Sequence, residues 1–211
     1  MARPSSRKLA LALAFAATAL ACVPAAAHAA APRCEAKTGD TIARNATTRV
    51  FQRVTGTVND GQRVRIYSCR LGTRTAVLTT SFRNDLDGEL RLQEAILGSS
   101  KYLAIVFEEL TGTSDSTDVF LYDLSVPDRR IWTFNRDGSR EGMQVVVTRN
   151  GGVAILDAGV VTVHDNLGAK VVAPAGASDL GRGLGGNVVY WTMGGVAASA
   201  TLTGHPSDDR T

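Results

Sequence analysis

Val119-Phe120-Leu121-Tyr122-Asp123-Leu124-Ser125-Val126-Pro127-Asp128-Arg129-Arg130-Ile131-Trp132-Thr133-Phe134 predicts a strand, a tight turn and a second strand. Val119 and Leu121 alternate with Phe120 and Tyr122, so both faces of the first strand carry apolar side chains. That pattern suits a strand covered on both sides. Asp123 follows where a short acceptor can bond turn amides. Pro127 presets φ and donates no amide hydrogen, which places Pro127-Asp128 in the turn.

The same pattern recurs along the chain. Val64-Arg65-Ile66-Tyr67-Ser68 and Val161-Thr162-Val163-His164-Asp165 match Val119–Asp123, and a fainter copy begins at Val196. After each of the three clear copies come a turn, a basic residue (Arg74, Arg129, Lys170) and an apolar run. The copies start 55, 42 and 35 residues apart. Four-stranded units at about 40–50 residues are the spacing of propeller blades.

Residues 1–29 form a secretory signal peptide by pattern. Arg3, Arg7 and Lys8 precede the apolar run Leu9–Leu20, Pro24 breaks it, and Ala27-His28-Ala29 offers an A-x-A cleavage site. Two alternatives share these residues: an uncleaved anchor, for which the run is short, and a lipoprotein attached through Cys22 in Ala19-Leu20-Ala21-Cys22. The chain holds 23 basic and 20 acidic residues, net +3. Its first 29 residues contribute three basic and no acidic ones, so the mature chain is balanced. That balance gives no global attraction to nucleic acid or to anionic lipid. No membrane span is expected after cleavage.

Of the three cysteines, Cys34 and Cys69 remain in the mature chain. In an oxidising compartment an isolated pair predicts a disulfide, and the wide spacing without nearby histidines argues against zinc.

Residues 30–202 predict one all-β domain, a small or partial β-propeller of antiparallel sheets, with a β-sandwich as the alternative. Turn pairs such as Asp87-Gly88, Asp137-Gly138 and Asn150-Gly151 punctuate the apolar runs. Thirteen strands are expected, at 48–54, 63–69, 74–79, 89–93, 101–108, 118–124, 129–134, 143–149, 152–157, 160–164, 169–173, 187–193 and 195–202. Glu89–Leu97 suits a helical turn almost as well. Thr203–Thr211 is polar and predicts a flexible tail.

Arg49-Val50-Phe51, Val64–Cys69 with Arg70-Leu71-Gly72-Thr73-Arg74, Val188-Val189-Tyr190-Trp191-Thr192, Gly194-Gly195-Val196 and Ser199-Ala200-Thr201-Leu202 resemble a group of secreted bacterial proteins of uncharacterised function. Those proteins are alanine- and arginine-rich and propeller-like, related to TolB-type and WD-repeat propellers. The resemblance implies a fold and export. It carries no catalytic residue or ligand, and the Trp-Asp signature of WD repeats is absent.

Candidate chemistry is sparse. His164 occupies the repeat position of Tyr67 and Tyr122, which favours packing, and His205 lies in the polar tail. No G-x-S-x-G elbow occurs, and Gly98-Ser99-Ser100 is more simply a hairpin turn. Gly181, Gly183 and Gly186 satisfy G-x-G-x-x-G but precede a strand, so a flexible loop fits better than a dinucleotide site. Arg83–Glu94 aligns Asp85, Asp87, Gly88 and Glu94 with a calcium loop, but Arg83 stands at the first ligand position. Thr111–Asp118 predicts a polar, acidic loop. Glu108, Glu109, Asp123, Asp157 and Asp165 are the carboxylates from which a hydrolytic pair would come. Trp132 and Trp191 lie in apolar strands and suit a core.

No catalytic, cofactor-binding or metal-ligating residue is assigned. The expectation is an extracytoplasmic binding or structural module of the cell envelope or extracellular space, with a protein or glycan as ligand and no cofactor. The alternative is a secreted carbohydrate-active hydrolase using paired carboxylates.

Overall fold

The computed structural model describes residues 33–35, 38–57, 59, 61–84, 89–111 and 114–206. The signal-peptide segment with Cys22, the calcium-loop residues Asp85, Asp87 and Gly88, and residues 207–211 lie outside these. The described chain is all-β, as expected, and Glu89–Leu97 is strand throughout.

Four antiparallel meanders follow one another. Sheet I contains β1 (Asp40–Arg44), β2 (Thr48–Thr55), β3 (Gln62–Arg70) and β4 (Val77–Asn84). Sheet II contains β5 (Glu89–Leu97), β6 (Tyr102–Thr111), β7 (Ser114–Asp123) and β8 (Arg130–Asp137). Sheet III contains β9 (Gln144–Val147), β10 (Val153–Asp157), β11 (Val160–Asp165) and β12 (Gly168–Ala173). Sheet IV contains three strands, β13 (Ala177–Arg182), β14 (Val188–Met193) and β15 (Val196–Thr201). Val64–Ser68, Val119–Asp123 and Val161–Asp165 fall in β3, β7 and β11, the third strand of each sheet, and Val196 opens the third strand of sheet IV.

The sheets stack in chain order through three shared cores. Val50 and Ile66 of sheet I meet Leu103, Ile105, Phe107 and Tyr122 of sheet II. On the other face of sheet II, Ala104, Val106, Val119, Leu121 and Trp132 meet Val145, Val147, Val153 and Ile155 of sheet III. Ala154, Leu156, Val161 and Val163 of sheet III then meet Val189 and Trp191 of sheet IV. Val119 and Leu121 thus serve one core while Tyr122, with Phe120 packed beside it, serves another. Both tryptophans are core residues. The first strands run side by side, β1 next to β5, β5 next to β9 and β9 next to β13. Serial meanders packed through their first strands make a small, partial propeller-like arrangement, and among the described residues no sheet closes into a barrel.

Several boundaries differ from the sequence expectation. β1 and β13 were not anticipated: DTIAR and ASDLGR are short and half polar, and what holds them is pairing with β2 and β14. Thr111–Asp118 is not a loop, because Ser114–Asp118 is the start of β7. Thr117 is fully buried there, its hydroxyl donating to the Gly138 carbonyl at 2.9 Å. β4 begins at Val77 rather than 74, since Thr73 turns back on the Arg70 carbonyl through both its amide and its hydroxyl. Thr203–Pro206, expected as the start of a tail, is docked. Thr203 donates its amide (3.0 Å) and hydroxyl (2.9 Å) to Asp165. The His205 ring lies 5.7 Å from that of Tyr102.

Cys34 and Cys69 are joined, with Cα atoms 5.8 Å apart. The bond carries the N-terminal segment onto the outer face of sheet I, where Cys34, Phe51, Cys69 and Ala76 form a small apolar cluster. Buried Arg49 fastens the same segment. Its guanidinium donates to the carbonyls of Glu35 and Gly39 and to the Thr41 hydroxyl, and lies 4.6 Å from the Phe51 ring centroid. Closing a loop of this length contributes about 3–4 kcal/mol in the chain-entropy model. Native protein should therefore show no alkylatable thiol at Cys34 or Cys69 by mass spectrometry. Cys34→Ser with Cys69→Ser should lower unfolding stability by about that amount; two free thiols, or an unchanged denaturation midpoint, would refute the staple.

Candidate functional site

The hairpins that join the first and second strands of the four sheets converge on one cleft of about 520 Å³. Sheet I supplies Asn45–Thr47, sheet II Gly98–Ser100, sheet III Arg149 and sheet IV Arg182–Gly186. Each turn has its own local cause. The Asn45 side-chain oxygen accepts the amides of Thr47 (2.9 Å) and Thr48 (2.8 Å), an Asx turn. Gly98 donates to the Tyr102 carbonyl at 3.0 Å, and the Ser99 hydroxyl oxygen accepts the Lys101 amide at 3.1 Å. Gly98 must be glycine because a Cβ there would strike the Thr148 carbonyl of the next sheet. The fourth hairpin is not a flexible loop. Gly181 lies in β13, and Gly183 and Gly186 bond each other across the turn at 2.9 Å.

Arg182 and Arg149 tie these turns together. The Arg182 guanidinium donates to the carbonyls of Gly98 (2.6 Å), Val147 (3.1 Å) and Leu97 (3.3 Å), so one side chain of sheet IV spans sheets III and II. The Arg149 amide donates to Gly186 at 2.6 Å. The Arg149 side chain remains exposed, and Leu184 at the hairpin tip is fully exposed. Arg149, Asn45, Thr47, Ser99 and Ser100 give the cleft hydrogen-bond donors, one of them charged, beside one apolar anchor. Among the described residues, none that lines it is a carboxylate, histidine or cysteine. The chemistry on offer is recognition of acceptor groups, without an acid–base pair.

The candidate carboxylates lie elsewhere, each with a structural partner or register. Asp123 accepts the Ser125 amide at 2.9 Å and sits 3.8 Å from Lys101. Asp165 accepts the Leu167 amide at 2.9 Å in the same kind of turn. Asp157 pairs with Arg136 across sheets III and II at 3.1 Å. Glu108 accepts from the Gln93 amide group at 2.7 Å, Glu94 pairs with Arg140, and Glu109 stands opposite Ser116 in the β6–β7 ladder. No group of three or more His, Cys, Asp or Glu residues with metal-binding geometry occurs among the described residues.

Burial works against ionising Asp123 and Asp165. It is outweighed by the Ser125 bonds and Lys101 in the first case and by the Thr203 and Leu167 bonds in the second, so both sit below the ordinary carboxylate range. His164 is half-buried between sheets II and III, its ring 4.8 Å from Trp132 and 5.9 Å from Phe134. Its Nε2 has no hydrogen-bond partner among the described residues, and burial pushes its pKa down.

Compared with family models, curated proteins and solved structures, the chain has no significant match in any of the three.

Sequence reading located the turn aspartates and the packed histidine but passed over Arg149 and Arg182. The available signal was a glycine-rich stretch, Gly181–Gly186, with the strand-end Arg182 inside it.

Because folded His164 holds its proton less tightly than the unfolded residue, its contribution is intact above about pH 6.5 and is lost as pH falls through that value. The melting temperature should fall between pH 7 and pH 5. His164→Tyr, which installs the side chain found at Tyr67 and Tyr122, should keep the fold at pH 7 and flatten that fall. An equally steep pH dependence in the variant would assign it to other groups.

Proposed function

We propose that the chain is exported by its N-terminal signal and acts as a propeller-like binding module built of four sequence repeats, its ligand seated at the mouth formed by the four inner hairpins. The observation that carries this reading is the convergence of one hairpin from each sheet on a single cleft. Ligand sites of repeat folds gather where equivalent loops from successive units meet. The placement of the three matching segments in third strands supports the repeat, and the Cys34–Cys69 bond suits an oxidising compartment. Among the described residues no helix is long and apolar enough to cross a membrane. These features also accord with the resemblance to TolB-type and WD-repeat-like secreted proteins.

The lining favours a glycan or an extended peptide. Hydroxyls, an exposed guanidinium and bare glycine backbone recognise acceptor-rich groups, and Leu184 supplies an apolar contact at the rim. The hydrolase reading has less support, because its carboxylates serve turns and inter-sheet contacts and none of them lines the mouth.

The test is a glycan array probed with the mature protein, alongside envelope fractions, repeated with Leu184→Asp and Arg149→Ala. A ligand retained by the native protein should lose about tenfold or more in affinity to the variants, with melting temperatures unchanged. Retention that both variants leave intact would move the site elsewhere. Turnover of an arrayed glycan would make the protein an enzyme.

A further inference from the structure

The outer face of sheet I divides into two halves. Arg49 stands opposite Cys69 and Phe51 opposite Tyr67, and the disulfide-linked segment covers this end. The next rungs are Arg53 opposite Arg65 and Thr55 opposite Arg63, and on the other side Arg63 stands opposite Arg83. Directly paired residues share a face, as do residues two apart in one strand. Four arginines therefore stand on three adjacent strands of one face. Like charges directly opposite each other destabilise a sheet.

Nothing within the described fold offsets this. Arg53, Arg63, Arg65 and Arg83 make no ion pair and no side-chain hydrogen bond among the described residues. By contrast, Arg91, Arg136 and Arg140 each face a carboxylate, and Arg49 and Arg182 are bound to carbonyls. Three of the four, Arg63, Arg65 and Arg83, also border a cleft of about 370 Å³ together with Thr55, Gly56 and Gly61, and among the described residues no carboxylate belongs to that lining. Gly61 has a positive φ of 79°, and a Cβ on it would collide with the Arg83 guanidinium, so the bare turn leaves room for that guanidinium beside the backbone.

We propose that this face of sheet I is a binding site for a linear polyanionic polysaccharide bearing sulfate or phosphate esters. The guanidinium fork matches such oxyanions in geometry as well as charge. Sulfate and phosphate esters share this chemistry, and the test separates them. A polymer is favoured over a membrane surface because the rungs carry Thr55 and Ser81 between the arginines and no apolar side chain to enter a bilayer. The mature chain is charge-balanced, so the attraction is local to this patch. The site is separate from the inner mouth and stands whether or not the mouth binds anything.

The experiment measures binding of full mature protein to dextran sulfate, to a phosphorylated dextran and to neutral dextran. A fourth arm uses vesicles of phosphatidylcholine with 30% phosphatidylglycerol, on the order of a strongly anionic leaflet. Arg63→Gln with Arg65→Gln is compared with Arg74→Gln with Arg129→Gln, which removes the same charge elsewhere. The native protein should bind one or both charged dextrans, with the preferred ester read from the two arms. Its affinity should fall steeply as salt rises. The sheet I double variant should lose about tenfold or more in affinity, with a shallower salt slope, and the control variant should lose under about threefold. Charged dextran should also raise the melting temperature of the native protein but not of the sheet I variant, a readout that needs the fold intact. Equal losses in the two variants, no binding to either charged dextran, or vesicle binding as strong as polymer binding would each overturn the assignment. If the double variant does not fold, Arg53→Gln alone replaces it, with the same criteria and a smaller expected loss.

Discussion

Tyr102–Phe107 has no solvent face. All six residues are buried, with Leu103, Ala104, Ile105 and Val106 fully so, and the side chains alternate between two cores. A strand of this kind must have strands beside it for its hydrogen bonds and sheets above and below for its side chains. β5 and β7 supply the first, and sheets I and III supply the second. Val153–Leu156 in β10 repeats the constraint one layer on, with Val153 and Ile155 facing sheet II and Ala154 and Leu156 facing sheet IV. Full burial of each larger aliphatic side chain contributes roughly 1.5–3 kcal/mol, so the serial stack follows from two short apolar runs.

A series of stacked sheets has two ends, and this chain treats them differently. Sheet I covers half of its outer face with the N-terminal segment, held by the disulfide and by Arg49. The other half is basic. On sheet IV, Tyr190 faces outward over Gly181, where a Cβ would come within 2.6 Å of the ring. At the inner end of the stack, Arg182 replaces apolar packing with directed bonds, because the carbonyls of Leu97, Gly98 and Val147 need donors once their strands end.

What could be read from the chain was local. The two-sided alternation of Val119–Tyr122 announced a strand between two cores, and Asp123 and Asp165 announced their turns. His164 could be placed as packing because its repeat partners are tyrosines. The inner strands β1 and β13 were opaque, since DTIAR and ASDLGR carry no apolar run and gain their place from neighbours. The start of β7 was opaque for a related reason: Thr117 is buried among polar residues that together suggest a loop. The features on which the proposed binding rests were the least legible. The mouth needs four distant hairpins to meet, and the basic face needs the register that sets Arg53 opposite Arg65.

If the doubly covered strands hold the stack together, their amides should open only with global unfolding. Native-state hydrogen exchange measured residue by residue decides this. The amides of Leu103–Val106 and Val153–Leu156 should be the slowest in the protein and should share one opening free energy equal to that of global unfolding. The amides of β15 should exchange faster. Protection in β6 and β10 no greater than in β15 would contradict the serial stack and the account built on it.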